Sequence, residues 1–146
     1  RPTVTRQAAF AALALAGAAA LAGCTNDAKS QTTALSNAVA RYHVADNPDK
    51  PGAAEGIARV ACTDADVCAA KKACVDGSAS TVKGLALKAE VESVLAEVNG
   101  HKIATDDPRA SALFGKLDEG KRLLEEGHAT LETCDTLLAA LKRKHS

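Results

Sequence analysis

Five cysteines are the residues of this 146-residue chain with the clearest capacity for chemistry: Cys24, Cys62, Cys68, Cys74 and Cys134. A cysteine can pair in a disulfide, ligate a metal or act as a nucleophile. Structural zinc sites take ligands two to four residues apart, whereas the middle three cysteines are spaced by six. A metal site that completed this set with Cys134 or His128 is therefore disfavoured. No Cys-x-x-Cys-His haem-attachment motif occurs, and we predict no metal and no cofactor.

Cys24 closes the most apolar stretch of the chain. Residues 1–6 carry two arginines and no acid, and residues 8–22 are apolar but too few to span a bilayer. The stretch ends Leu21-Ala22-Gly23-Cys24. This tetrad resembles the lipobox of bacterial lipoprotein signal peptides, in which an aliphatic and two small residues precede the lipidated cysteine. The alternative is a buried Ala-rich helix whose cysteine is incidental.

The resemblance to bacterial lipoproteins covers residues 1–24 only, and it implies where the chain is located. Residues 1–23 would be removed as the signal peptide, and Cys24 would carry acyl chains such as palmitate on its sulfur and amine. Two or more chains make a stable membrane anchor, since each buried methylene contributes about 0.8 kcal/mol. Residues 24–146 would form one helical domain of the bacterial cell envelope, with residues 24–29 as a polar tether, facing periplasm or exterior. In such lipoproteins an aspartate directly after the lipidated cysteine favours retention in the inner membrane. Thr25 stands at that position here, so the resemblance favours the outer membrane.

Export favours disulfides for the remaining four cysteines, and helix geometry limits how they pair. Cysteines six apart on an unbroken helix lie about 9 Å apart along the axis, beyond the usual Cα separation of about 4.4–6.8 Å. Cys68–Cys74 is therefore disfavoured. The preferred pairing is Cys62–Cys68 with Cys74–Cys134, and the alternative is Cys62–Cys74 with Cys68–Cys134. Either ties the middle of the chain to its last helix.

Composition argues against several classes of function. Without residues 1–23, acidic residues outnumber basic ones by two, which does not fit a nucleic-acid partner. Tyr42 and Phe114 are then the only aromatics, too few for a stacking surface. Adjacent carboxylates such as Glu125 and Glu126 do not face each other on a helix, and no Gly-x-Ser-x-Gly or Gly-rich phosphate loop occurs. We therefore predict that the protein is not an enzyme.

The elements that must position these residues are helices. Ala, Leu, Glu and Lys are abundant, and apolar residues recur at three-four spacing. A helix should end before residues 46–52, which contain two prolines. A new helix should begin at Thr63-Asp64, which has the residue types of an N-cap. Two further helix ends are predicted at Asp76-Gly77-Ser78 and at Asn99-Gly100. One bent helix over 53–75 is the alternative to the second and third. The predicted helices span about 27–44, 51–62, 64–75, 80–98 and 108–143.

The last helix has the longest apolar stripe, in which leucines repeat over some four heptads. Gly120 and Gly127 lie within this stripe, although each costs about 1 kcal/mol of helix propensity relative to alanine. Close approach of a neighbouring helix is the preferred explanation, and a kink is the alternative. The final residues Lys142 to His145 complement the helix dipole; contact with an anionic surface is the other interpretation.

The sequence therefore predicts an all-α, disulfide-braced bundle of four to five helices with a long C-terminal helix. The leading hypothesis is a non-enzymatic envelope lipoprotein, attached to the membrane through Cys24, which acts by contact with another envelope protein. The alternative is a carrier that holds a small ligand or metal within the bundle, beside Gly120 and Gly127.

Overall fold

The computed structural model describes the backbone of residues 20–146 and the side chains of residues 27–146. Over this range the protein is an all-α, disulfide-braced helical bundle with a long C-terminal helix, and no strand occurs within it. Most of the expected signal peptide, residues 1–19, lies outside the described residues. The helices are α1 (Ala20–Val44), α2 (Lys50–Ala58), α3 (Ala65–Asn99), α4 (Pro108–Ser111) and α5 (Leu113–Lys144).

The first helix starts earlier than its apolar stripe predicted. Helix α1 begins at Ala20, so residues 24–29, expected to form a tether, are helical. This segment contains no proline, so each of its residues can donate a helical backbone hydrogen bond. The helix ends at Val44 as expected, just before the proline-rich link.

A corner joins α2 to α3, and it matches the sequence signal at Thr63-Asp64. Helix α2 ends at Ala58, four residues before the predicted end. Asp64 is the N-cap of α3, because its side chain accepts hydrogen bonds from the backbone N–H groups of Asp66 and Val67. Thr63 is not helical, so the single bent helix over 53–75 does not form.

Helix α3 corrects the largest error of the sequence analysis. It runs without interruption from Ala65 to Asn99, whereas two helices separated at Gly77 were predicted. A glycine ends a helix by adopting a left-handed conformation, and no glycine among the described residues has positive φ. Gly77 is helical and buried because it packs against α5.

The predicted final helix is divided near its start. Asp107 caps α4 through the backbone N–H of Arg109, and α4 closes after one turn. Ala112, with φ −82° and ψ −8°, separates it from α5. These dihedrals lie at the edge of the helical region.

The hydrophobic core lies at one end of an antiparallel α3–α5 hairpin. Helices α1 and α2 cover that end with Leu35, Val39, Tyr42 and Ile57, all buried. The core cluster that they share with the hairpin reaches Val82 on α3 and Leu131 on α5. Beyond it, residues 84–124, here called the distal hairpin, are held together by contacts between α3 and α5 themselves. The molecule thus has a four-helix base and a projecting two-helix arm.

Candidate interaction surface

Four glycines let α3 and α5 approach closely: Gly77, Gly84, Gly120 and Gly127. A β-carbon on Gly127 would lie 2.8 Å from the backbone nitrogen of Thr81, and one on Gly77 would lie 2.8 Å from that of Leu131. These separations are shorter than van der Waals contact, so only glycine fits. Gly84 and Gly120 face each other one heptad further along. This is the close approach of a neighbouring helix predicted for Gly120 and Gly127, and α5 remains helical through both positions.

The line of contact between α3 and α5 is here called the seam. Within the base, the Cys74–Cys134 disulfide joins the two helices across it. Both cysteines are fully buried, and their Cα atoms are 4.8 Å apart. The bridge spans 60 residues and joins α3 to α5. It is the longer bridge of the pairing preferred from sequence, and the alternative pairing of Cys68 with Cys134 does not occur.

The Cys62–Cys68 disulfide holds the α2–α3 corner, with Cα atoms 5.3 Å apart. Helix α1 supports this corner through Gln31, which is buried. Its Oε1 accepts from the Thr63 backbone N–H at 2.8 Å, and its Nε2 donates to Thr63 Oγ1 at 2.7 Å. The polar groups of this non-helical link are thereby satisfied. The corner therefore positions helices and offers no free thiol.

The distal hairpin carries the exposed apolar residues that could contact another molecule. Leu95, Phe114 and Leu117 are 44%, 81% and 50% exposed. Leu95 lies seven residues from Lys88, and Phe114 lies seven from Lys121, so each pair shares a helix face. A groove of about 210 Å³ connects Lys88 on α3 with Leu117, Gly120, Lys121 and Leu124 on α5. We call this face the distal flank: Lys88, Leu95, Phe114, Leu117, Lys121 and Leu124.

Two charged pairs cross the seam of the same hairpin. Arg109 pairs with Glu97 at 3.0 Å, and Lys116 pairs with Glu90. Both pairs join α5 or α4 to α3 across the seam. Lys116 and Glu125 also line the groove of the distal flank, so this candidate contact surface combines exposed apolar residues with charged ones.

In the base, helix α1 covers the continuation of the distal flank. His43 on α1 lies 3.1 Å from Asp135 on α5. Asp135, His128 and Lys121 follow one another at intervals of seven and so share a face of α5. Helix α1 ends at Val44, and beyond this point the α5 side of the face is exposed, whereas Asn47, Pro48 and Pro51 of the following link border its α3 side near Lys88. The α5 side of the distal flank thus continues a surface that contacts a helix in the base.

The titratable groups of the described part do not form a catalytic cluster. No group of three His, Cys, Asp or Glu side chains is placed to hold a metal among residues 27–146. His128 is exposed beside Glu132, and His101 lies in the exposed α3–α4 loop with φ 54°. The Tyr42 hydroxyl is buried beside Thr81 without a hydrogen bond of normal geometry, and burial raises its pKa.

The expected carrier site beside Gly120 and Gly127 has no counterpart at Gly127. Thr81 occupies that position, because its Oγ1 would lie 2.3 Å from a β-carbon on Gly127. Beside Gly120 the space is the groove on the distal flank, which is open to the surface. This groove suits surface contact better than enclosure of a ligand.

The backbone of Cys24 lies in the first turns of α1, and its side chain is outside the described part. Among the described helices, none is both long and apolar enough to cross a membrane. Comparison with family models, with curated proteins and with solved structures found no match for this chain.

Sequence reasoning missed the seam role of Gly77 and the distal flank. The spacing of seven from Gly77 to Gly84, equal to that from Gly120 to Gly127, was the available signal for the seam. The flank could have been inferred from Phe114, an aromatic residue beside the stripe but outside its three-four series. Its exposure depended on where α1 ends across the hairpin, which local patterns do not show.

Proposed function

We propose that this chain is a lipid-anchored protein of the bacterial envelope that acts, without catalysis, as a helical interaction module. The observation that carries the proposal is the projecting distal hairpin, which exposes an apolar flank far from Cys24. Helix α1 runs from the anchor end of the base toward that hairpin. Since α3 rises about 1.5 Å per residue, its part beyond Val82 extends roughly 25 Å past the core.

The partner that fits the distal flank is an amphipathic helix of another envelope protein. Helix α1 occupies the same surface in the base with Leu35, Val39 and Tyr42 at helical spacing. Outside the base, Lys88 and Lys121 border the apolar residues, and each lies near a glutamate on its own helix. A partner helix with an apolar stripe and mixed charge at its edges would match this surface.

Cross-linking in intact envelopes tests the proposed contact. The double variant F114S/L117S should lose the cross-linked partner, because it replaces the apolar centre of the flank. The matched control V44S changes an equally exposed apolar residue of the base, 83% exposed, and should retain it. Both variants should keep the wild-type melting temperature. A wild-type chain that cross-links to no specific protein, or a flank variant that still does, would contradict the proposal.

Intact-mass analysis of the envelope-purified protein tests the anchor separately. The expected mass lacks residues 1–23, includes acyl chains on Cys24 and is four hydrogens lighter than the reduced chain because of two disulfides. An unprocessed chain without acyl groups would exclude the anchor while leaving the flank prediction intact.

The alternative function is a carrier, favoured by the apolar groove of about 210 Å³ at Gly120. A small apolar ligand in this groove would contact Leu117 and Leu124. Native mass spectrometry of the purified protein would then show a bound mass that L117S loses and V44S keeps. A spectrum of the ligand-free chain alone would remove this alternative.

A further inference from the structure

Helices α1 and α5 place basic residues together at the end of the base nearest Cys24. Lys29, Thr33 and Ser36 of α1 border a groove of about 240 Å³ with Lys142 and His145 of α5. Lys29 follows Cys24 by five residues, which corresponds to about 7 Å along a helix. The groove is therefore close to the point where acyl chains on Cys24 would enter the bilayer.

Asp27 is the one acid of α1 among residues 27–44, and its carboxylate accepts a hydrogen bond from Thr63 of the neighbouring corner. Residues 28–45 contain Lys29 and Arg41 and no Asp or Glu, and residues 136–146 contain three basic residues and no Asp or Glu. At that corner Asp66 pairs with Lys144 at 2.6 Å, and Asp27 accepts from Thr63 Oγ1 at 3.0 Å. Acidic residues outnumber basic ones over residues 24–146, so this cluster of cations is a local excess of positive charge.

Lys29, Lys142 and Arg143 are exposed, and among the described residues no carboxylate lies within 4 Å of any of them. The α5 dipole accounts for basic residues in the last turn of that helix. It does not account for Lys29, which lies more than two turns into α1, beyond the reach of that helix's own dipole. A partner that accepts cations from both helices explains the cluster better.

We infer that the Lys29–Lys142 edge binds the anionic headgroups of the membrane in which Cys24 is anchored. This inference rests on the proposed anchor and adds an orientation to it. Basic residues beside an anchor gain about 1 kcal/mol each from an anionic lipid surface, or about fivefold in occupancy. The base would then stand on the headgroups, with the distal hairpin pointing away from the bilayer.

Lysine footprinting of the lipidated protein tests the inference. The protein is reconstituted in vesicles of phosphatidylcholine alone or with one-third phosphatidylglycerol, and lysines are acetylated and counted by mass spectrometry. Acetylation of Lys29 and Lys142 should be about fivefold slower in the anionic vesicles and should recover in high salt. Lys83 and Lys102, which are exposed and outside any ion pair of the described part, should react equally in both.

Two outcomes would overturn the inference. Equal acetylation of Lys29 and Lys142 in the two kinds of vesicle, with the protein bound to both, would exclude headgroup contact while leaving the anchor intact. Protection by inorganic phosphate in neutral vesicles would assign the edge to a free anion instead of a lipid. Failure of the protein to associate with either vesicle would contradict the anchor itself, and this inference with it.

Matched variants separate lipid contact from a structural effect. In hydrogen exchange, anionic vesicles should protect the amides of residues 28–36 and 140–145 in wild type and in K83Q/K102Q. The variant K29Q/K142Q removes the same number of exposed lysines from the proposed edge and should lose this protection. Equal protection in both variants would contradict the inference. The exchange pattern without vesicles shows whether each variant is folded.

Discussion

Glycine at position 127 is required because the neighbouring backbone lies where a side chain would begin. We expect G127A to destabilise the protein by about 1–3 kcal/mol, since a β-carbon there would meet Thr81 at 2.8 Å or less. Urea unfolding measures this change. The control is G115A, also within α5, where a β-carbon has no neighbour within 4 Å. It should stabilise by about 0.5–1 kcal/mol, and equal midpoints for the two variants would refute the packing argument.

The ion pair between Asp66 and Lys144 should give the protein a specific dependence on acid. The hydrogen bond from Lys144 lowers the pKa of Asp66, so this contribution is complete above the ordinary range of an unfolded aspartate, about 3.9. It is lost as pH falls through the lowered pKa of the folded state. D66N should therefore unfold at lower urea than wild type at neutral pH.

The difference between D66N and wild type should shrink as the solution is acidified, because the wild-type carboxylate becomes protonated as well. D118N serves as the control, since Asp118 is exposed and is in no ion pair within the described part. A D66N difference that stays constant down to the acid limit would show that the charge of Asp66 does not contribute.

At the scale of the elements, the two disulfides should contribute unequally. The loop-entropy model assigns about 4 kcal/mol to a bridge across 60 residues and about 2 kcal/mol to one across six. C74A/C134A should accordingly lower the free energy of unfolding by more than C62A/C68A. Denaturant unfolding of the two double variants provides the measurement. A larger loss for the corner bridge would mean that the corner geometry outweighs chain entropy.

Short-range signals predicted the start of α3 and the preferred disulfide pairing correctly. The N-cap at Asp64 followed from residue types that satisfy free backbone N–H groups. Helix geometry disfavoured only Cys68–Cys74, and of the two pairings left open the preferred one, with Cys62–Cys68, is present. The sequence alone therefore predicted one short and one long bridge.

Helix α3 shows where prediction from the sequence fails. Asp76-Gly77-Ser78 has the composition of a helix end, and locally a glycine can either end a helix or continue it. The outcome depends on Leu131 and Gly127, which are 50 or more residues away and leave no room for a side chain. The distal flank could not be predicted for a similar reason. Its exposure depends on where α1 ends in the folded protein, which local sequence patterns do not show.

For the molecule as a whole, the base and the distal hairpin should differ in local stability. The base has a shared core of four helices, whereas the distal hairpin buries Val91 and Val94 between two helices only. Elements with fewer buried contacts open at lower free energy. In hydrogen exchange, amides of residues 91–98 and 113–120 should exchange faster than those of residues 67–78 and 131–141. Uniform protection along α3 would indicate a single cooperative unit.

The order of the four bridged cysteines along the chain has a consequence for how the oxidised protein arises. Under the proposed export, a chain that leaves the cytoplasm N-terminus first with the sulfur of Cys24 acylated presents Cys62 and then Cys68 to the oxidant, and these two are native partners. Cys74 follows without a mate until Cys134 emerges sixty residues later. Pairing in order of arrival therefore yields both native bridges, and maturation of this protein would not need an enzyme that reshuffles incorrect ones.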